Sequence, residues 1–204
     1  TSFAPESPHC VEVRRWRGTE AWEAEPGEYY HATTGELGGL WRFRGRAPQK
    51  LVGVGFTSQG FDYSLPYKQL DESQDPRAKF IFKGVAKDEP IGDFGLVQGG
   101  AGGFEVDRDD VELGTPPHAL VMATTTGFSD VYQHVIEEVL YMDSSHGGTI
   151  NPLCRGDLTY FEGPKGGAVF SVGSISWCGS LSHNNYDNNV SKITKHVLDR
   201  FVSE

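Results

Sequence analysis

ALVMATTTGFSDVYQHVIEEVLYM (119–142) contains the two periodicities that decide the fold class. Its first part, 119–126, is a short apolar run that ends in β-branched threonines, which predicts a buried strand. From Asp130 to Met142 the spacing changes to that of an amphipathic helix, for which Ser129 or Asp130 is a suitable N-cap. Its apolar face consists of Val131, Val135, Ile136, Val139 and Leu140. A strand followed by a helix is typical of an α/β domain.

The sequence after this stretch continues the same pattern. DLTYFE (157–162) and GAVFSVGSI (167–175) are predicted strands, and the Gly-Pro-Lys-Gly segment between them predicts a hairpin turn. A last helix is predicted from about Asn188 to Phe201, with an asparagine or serine at its start as the cap. Its apolar stripe consists of Val190, Ile193, Val197 and Phe201.

The sequence before residue 91 is mostly β-strand and loop. Short strands are predicted within 1–35, over LVGVGF (51–56) and over FIFKGV (80–85). We therefore expect a β-rich or loop portion over 1–90 and an α/β portion over 91–204. WRFRGR (41–46) is interpreted as a strand whose alternating arginines share one face, for an internal salt bridge or a subunit contact.

Charge and cysteine content limit the classes of partner. The 204 residues carry 18 Lys and Arg against 28 Asp and Glu, a net charge of −10. This balance argues against nucleic acid or an anionic membrane as a partner, and no apolar run is long enough to span a bilayer. The three cysteines form no CxxC pair, so we expect a reducing, cytoplasmic environment.

GLVQGGAGGFEVDR (95–108) raises the question of what a carboxylate gains from so much glycine before it. The dinucleotide and P-loop signatures both fail here, and no helix follows that could hold a phosphate. The glycines at 99, 100, 102 and 103 permit positive φ and a close approach by another segment. Phe104 gives Glu105 an apolar neighbour, and Arg108 is near enough in sequence to orient a carboxylate. Glu105 is thus a candidate catalytic acid or base, and the alternative is a solvated glutamate on a glycine turn.

Other polar clusters are weaker candidates. The acidic run from Glu105 to Glu112 misses the EF-hand spacing, so a solvated turn paired with Arg108 is favoured over a calcium site. A nucleophile built from Cys178 and His183 lacks a third partner. For the segment 173–189 we therefore favour polar side chains that satisfy backbone groups.

Several long blocks of this sequence resemble one family, the C-terminal part of the N,N-dimethylformamidase large (beta) subunit. The blocks are EVRRW (12–16), GEYYHATTGELGGLWRFRGRAPQKLVGVGFTSQGFD (27–62), IGDFGLVQGGAGGFEVDR (91–108), LGTPPHALVMA (113–123) and GGAVFSVGSISWCGSLSHNNYDNNVSKIT (166–194). The resemblance implies a glutamine-amidotransferase-like three-layer α/β domain with a β-rich extension. It also implies hydrolysis of a small N-substituted formamide to formate and an amine.

The same resemblance implies a site that this chain does not complete alone. The family uses a mononuclear iron bound by two tyrosines and a glutamate, the latter in a His-Pro-Glu-Tyr motif that is absent from this sequence. We therefore expect the iron ligands outside this chain, in a hetero-oligomer with the rest of the large subunit and a small subunit. The family's GGxxGxE segment matches residues 99–105, which makes Glu105 the general acid or base. The alternative is a non-catalytic assembly or scaffold portion of a multi-chain complex.

Overall fold

A computed structural model describes residues 40–135 and 146–203, together with the backbone of residues 2–4 and 7–12. The chain forms two compact units, which are described separately. The first consists of Thr1–Ala47 and Ile136–Leu140, and the second of Pro48–Val135 and Tyr141–Glu204.

The first unit contains an antiparallel hairpin of β1 (Ser2–Ala4) and β2 (Ser7–Glu12). β2 confirms the start of the strand predicted over HCVEVRRWRG (9–18), whereas β1 was not predicted. The predictions that fall on 13–39 lie outside the described residues. The strand predicted over 41–46 is wrong, because Trp41–Arg44 is a 3-10 helix. Gly45 ends it at φ 70°, and its backbone N–H returns to Arg42 O. The arginines therefore do not alternate along a strand.

Two antiparallel sheets form the framework of the second unit. One has the order β5-β3-β7 and the other β4-β6-β8-β9. The three-stranded sheet comprises β3 (Gly55–Gln59), β5 (Glu105–Arg108) and β7 (Gln133–His134). The four-stranded sheet comprises β4 (Lys68–Gln69), β6 (Leu120–Thr125), β8 (Gly156–Glu162) and β9 (Ala168–Ser171). The helices are α1 (Gln49–Val52), α2 (Ser176–Ser180) and α3 (Asn189–Val202), with 3-10 helices at Asp71–Gln74, Lys79–Phe82 and His183–Tyr186.

The strand and hairpin predictions of the second half are confirmed, except that the strand predicted over 167–175 extends only over Ala168–Ser171. β8 pairs with β6 on one side and with β9 on the other. The predicted glycine turn connects β8 to β9, and within it Gly163 N donates to Gly167 O at 2.6 Å. The sheet supplies Met122 and Leu158 to a core that also contains Tyr67 and Trp177. Burial of these apolar side chains is the dominant favourable contribution to folding.

The final helix is also confirmed, together with its cap. Asn188 precedes α3 in an extended conformation, and its side-chain Oδ1 accepts from Ser191 N at 2.8 Å. Three members of the predicted stripe, Val190, Ile193 and Val197, are buried in the core, whereas Phe201 is 39% exposed. The helix therefore leaves the core in its last turn.

Two strand predictions in the first half are corrected. Residues 79–82 form a 3-10 helix because Asp75 O accepts from both Ala78 N and Lys79 N, which turns the chain. The apolar residues that suggested a strand, Ile81 and Phe82, are buried in the core from this helix. Within 51–56, α1 ends at Gly53 (φ 81°) and β3 begins only at Gly55.

The helix predicted from Asp130 is wrong at its start. Gln133 and His134 form β7, which pairs with Gln59 and Ser58 at the edge of the three-stranded sheet. Asp130 caps no helix there, and its carboxylate instead accepts from Thr149 N at 3.1 Å. The remainder of the prediction, 136–142, lies outside the described residues.

The described residues thus form a mixed α/β fold with antiparallel sheets. The finer expectations stay predictions, namely the glutamine-amidotransferase-like three-layer arrangement and the portions 1–90 and 91–204. Among the helices of the described residues, none has the length and apolar character needed to cross a membrane.

Candidate functional site

The glycine loop before Glu105 is packed against another stretch of backbone. Gly102 and Leu65 exchange backbone hydrogen bonds of 2.7 and 2.9 Å. A Cβ atom at Gly100 would lie 2.5 Å from Ser64 O, and one at Gly103 would lie 2.2 Å from Ser64 Oγ. The predicted close approach of another segment is therefore confirmed, because no side chain at Gly100 or Gly103 would fit between the loop and Ser64.

Serines from the segment 173–189 hold the end of this loop. Ser174 Oγ accepts from Gly103 N at 2.9 Å and donates to Gly103 O at 2.8 Å. Ser176 Oγ donates to the same carbonyl at 2.9 Å and lies 3.2 Å from Ser64 Oγ. The interpretation of 173–189 as a segment that satisfies backbone groups is confirmed at these contacts.

The backbone is strained immediately before Glu105. Positive φ occurs in the predicted loop at Gly99, but not at Gly100, Gly102 or Gly103, and it also occurs at Gln98 and Phe104. Phe104 has φ 62°, a conformation that costs an L-residue roughly 1–2 kcal/mol. Such an outlier persists only where its surroundings enforce it, and it is characteristic of functional sites.

Three contacts enforce this conformation. Phe104 N donates to Tyr132 Oη at 2.9 Å, and Phe104 O accepts from Gly60 N at 3.0 Å. The Phe104 ring packs edge-on against Phe61 with 5.0 Å between the centroids. These contacts fix the backbone directly before Glu105, the first residue of β5.

Glu105 and Asp107 lie on one face of β5, because side chains alternate along a strand. Both are half-buried, whereas Val106 on the other face is buried against Phe128 and Tyr132. Glu105 is directly opposite Gln59 in β3, so these two side chains share that face. Within the described part of the chain, the side chains of Glu105, Asp107 and Gln59 make no hydrogen bond or ion pair. They are available to water or to a ligand.

In the described part of the chain, this face carries two carboxylates and no positively charged partner for either. Burial, and to a smaller extent the charge of Glu105, raises the pKa of Asp107 to about 6. Asp107 therefore takes up a proton near that pH.

The next two carboxylates of the acidic run, Asp109 and Asp110, have partners. Arg108 lies on the opposite face of β5 from Glu105 and donates to Asp110 Oδ2 at 2.8 Å. The pairing of Arg108 with this turn is thus confirmed, but Arg108 does not orient Glu105. Arg155 bridges Asp109 at 2.7 Å and Asp157 at 2.9 Å.

Asp157 is the buried centre of this ionic cluster. It accepts from Thr124 Oγ1 at 2.8 Å and from Asp109 N at 3.0 Å, in addition to Arg155. Burial raises the pKa of Asp157 to about 6, although the charge of Arg155 opposes that change. This cluster is satisfied internally and is structural.

A metal site requires several ligating side chains that lie close together. In the described ranges, no group of three or more His, Cys, Asp or Glu side chains could hold a metal ion. Glu105 and Asp107 offer two carboxylates but lack the tyrosines that the family resemblance requires. The residues described here therefore do not fit the iron by themselves.

The remaining sequence candidates have other roles. Cys178 is exposed on α2, and the His183 ring stacks on Phe94 at 4.1 Å. Within the part of the chain that the structure describes, no hydrogen bond joins the two side chains. Sequence reasoning did not single out Asp107 and Gln59, and the signal for Asp107 was its spacing of two residues from Glu105.

Comparison with known proteins connects this geometry to a family. The family model described as "N,N-dimethylformamidase beta subunit-like, C-terminal" matches residues 1–188. The N,N-dimethylformamidase beta subunit of Paracoccus aminophilus is 49% identical over 203 residues, which cover 100% of this chain and 27% of that protein. The beta subunit of the same name from Alcaligenes sp is 48% identical over 200 residues, which cover 98% of this chain and 26% of that protein. The chain thus spans about a quarter of the length of these relatives.

Proposed function

Since this chain belongs to the family of C-terminal parts of N,N-dimethylformamidase beta subunits, we propose that it is part of an amidohydrolase acting on a small linear amide. The substrate class is an N-substituted formamide such as N,N-dimethylformamide, and the products are formate and an amine. The relatives' name supports this substrate class. Because the chain covers about a quarter of those proteins, the remaining active-site groups are proposed to come from outside it.

One observation carries the role of this chain in the reaction. Glu105 is a half-buried carboxylate without a partner in the described residues, and it follows directly on a strained, well-supported Phe104. A rigid mount and an unpaired carboxylate are what a general acid or base needs. A solvated glutamate on a turn requires neither the serine contacts to Gly103 nor the strain at Phe104.

Amide hydrolysis needs two proton transfers, and one carboxylate can make both in turn. As water adds to the formyl carbon, Glu105 accepts a proton from that water. Glu105 then returns the proton to the amide nitrogen as the C–N bond breaks, because an amine leaves poorly until it is protonated. The products are formic acid, which ionises to formate, and the free amine.

We further propose that the complete enzyme is a cytoplasmic hetero-oligomer with a mononuclear iron. The chain would combine with the rest of the large subunit and with a small subunit, and the iron ligands would lie outside this chain. The free thiols of Cys154 and Cys178 support a reducing compartment. Metal analysis of the intact assembly tests for the iron, and mass spectrometry of every chain in the assembly tests its subunit composition.

The replacement Glu105→Gln in the complete enzyme tests the role of this residue. Glutamine keeps the size of the side chain but cannot take up a proton, so turnover of N,N-dimethylformamide should fall about 10²- to 10⁴-fold. Iron content and assembly should be unchanged. Glu112→Gln is the matched control, since Glu112 is an exposed member of the same acidic run and should leave turnover unaltered. Full activity of Glu105→Gln would favour an assembly or scaffold role for this chain.

A further inference from the structure

The three-stranded sheet places a second carboxylate beside the proposed acid/base. We infer that Asp107 is a positioning residue for the reaction, whose negative charge makes Glu105 a more effective base. This inference rests on the proposed function of Glu105. It concerns a group that acts through Glu105 and need not touch the substrate.

The geometry of β5 supports an interaction between the two charges. Residues two apart on a strand are about 7 Å apart and point to the same side. Arg108, the nearest cation in sequence, pairs with Asp110, and Arg155 pairs with Asp109 and Asp157. Within the described ranges, Asp107 and Glu105 thus act on each other without an intervening positive charge.

The position of Asp107 is fixed from two sides. Asp107 is paired with Phe56 of β3, and its backbone N donates to Gly173 O at 2.8 Å. Gly173 has φ 60°, and a Cβ atom there would lie 2.7 Å from Asp107 O. Because the backbone is packed this closely, the carboxylate is held at a defined distance from Glu105.

Few ionisable groups face Asp107 in the described residues. Glu105 is on its own strand, and from the core the Tyr67 phenol donates to Val172 O at 2.6 Å. Burial, together with the charges of Asp157 and Asp107, raises the pKa of Tyr67 well above its ordinary value, so this phenol stays neutral. In the neighbouring strand β3, the residues opposite Asp107 and Glu105 are the uncharged Phe56 and Gln59. Within the described residues, the charge that acts on Asp107 is therefore that of Glu105.

A pH dependence follows from this arrangement. Burial raises the pKa of Asp107 to about 6, so Asp107 is charged above that pH. The charge on Asp107 then favours proton uptake by Glu105 from the attacking water. Below about pH 6 Asp107 is neutral, and this electrostatic assistance is lost. The acid limb of the pH–rate profile should therefore contain a step near pH 6.

The experiment compares pH profiles of kcat/KM for N,N-dimethylformamide in the complete enzyme. Asp107→Asn should remove the step near pH 6 and lower the rate at pH 8 about three- to tenfold. Asp107→Glu keeps a charge on this face and should retain both the step and most of the rate. Glu112→Gln removes an exposed charge from the same run and should reproduce the parent profile.

The outcomes separate this inference from the proposed function. A profile for Asp107→Asn that is lowered equally at every pH would show a merely structural role and overturn the inference. If Asp107→Asn does not assemble, Asp107→Ser is also uncharged and smaller, and it makes the same comparison. Full activity of Glu105→Gln overturns the proposed role of Glu105 itself, whatever Asp107 variants do. Loss of activity in Glu105→Gln with an unchanged profile for Asp107→Asn overturns only the inference.

Discussion

The acidic run from Glu105 to Glu112 has two halves that look alike in sequence and differ in their contacts. In the second half, Asp109 and Asp110 are ion-paired to arginines, and Asp109 N binds the buried Asp157. In the first half, Glu105 and Asp107 have no such partner among the described residues. Asp109 and Asp110 stabilise the fold, whereas the first half keeps two charges available at one face of a sheet.

This difference shows how one strand can serve two purposes. A buried charge that is paired and hydrogen-bonded is tolerated by the fold, whereas an unpaired one destabilises it. Such an unpaired charge is expected mainly where it has a function. The strained residue, Phe104, directly precedes Glu105, the first of the two unpaired carboxylates. Both departures from ordinary stability thus occur at the same end of β5, which is the pattern expected of a functional site.

The largest expected effect on stability comes from breaking the paired half. In Asp157→Ala, the donors of Arg155, Thr124 and Asp109 N all lose their acceptor in a buried place. We expect local stability to fall by about 3–5 kcal/mol, the usual result of removing one partner of a buried ion pair. Native-state hydrogen exchange of peptides from β5 and β8 in the intact protein measures it.

Asp199→Ala is the control for this loss. Asp199 pairs with Lys195 on the exposed surface of α3, where such a pair contributes less than about 0.5 kcal/mol. Equal exchange rates in the Asp157 and Asp199 variants would contradict the division of the run into a structural half and a functional half.

The next largest effect is expected from a change in the glycine loop that precedes Glu105. In Gly103→Ala, the new methyl group would lie 2.2 Å from Ser64 Oγ and 2.7 Å from Ser64 Cα, so the loop must move. We expect a loss of about 3 kcal/mol in local stability and lower turnover, because Glu105 follows two residues later. Gly167→Ala, in the β8–β9 turn with no atom within 4 Å of the new Cβ, should change neither quantity. Normal turnover in Gly103→Ala would mean that the mount does not position Glu105.

Local signals explain which parts of the fold could be predicted from the sequence. The cap at Asn188 and the Gly163 turn are each determined by neighbours within a few residues, and both are confirmed. The helix predicted from Asp130 fails because Gln133 and His134 pair with strand residues more than 70 positions earlier. Apolar periodicity cannot reveal that partner, since the edge of a sheet and a helix face can share the same short pattern.

The candidate site could be predicted only in part for the same reason. Glycines followed by a glutamate drew attention to residue 105, and the family resemblance supported it. The sequence could not separate Asp107 from Asp109, because the arginine that distinguishes them is 46 residues beyond Asp109. Strain at Phe104 depends on Tyr132 and Gly60, which are also distant in sequence.

The smallest expected effect has the opposite sign and belongs to the unpaired half. The folded-state pKa of Asp107, about 6, is above the ordinary 3.8, so ionised Asp107 destabilises the fold. This penalty is absent below about pH 4, builds up as pH rises toward 6 and is complete above it. Asp107→Asn should therefore stabilise the region by about 2 kcal/mol at pH 8 and leave it nearly unchanged at pH 4. Hydrogen exchange of β5 peptides at the two pH values, with Glu112→Gln as control, measures this difference. If Asp107→Asn is instead less stable than the parent at pH 8, Asp107 belongs with the paired carboxylates, because removal of its charge then removes a stabilising interaction.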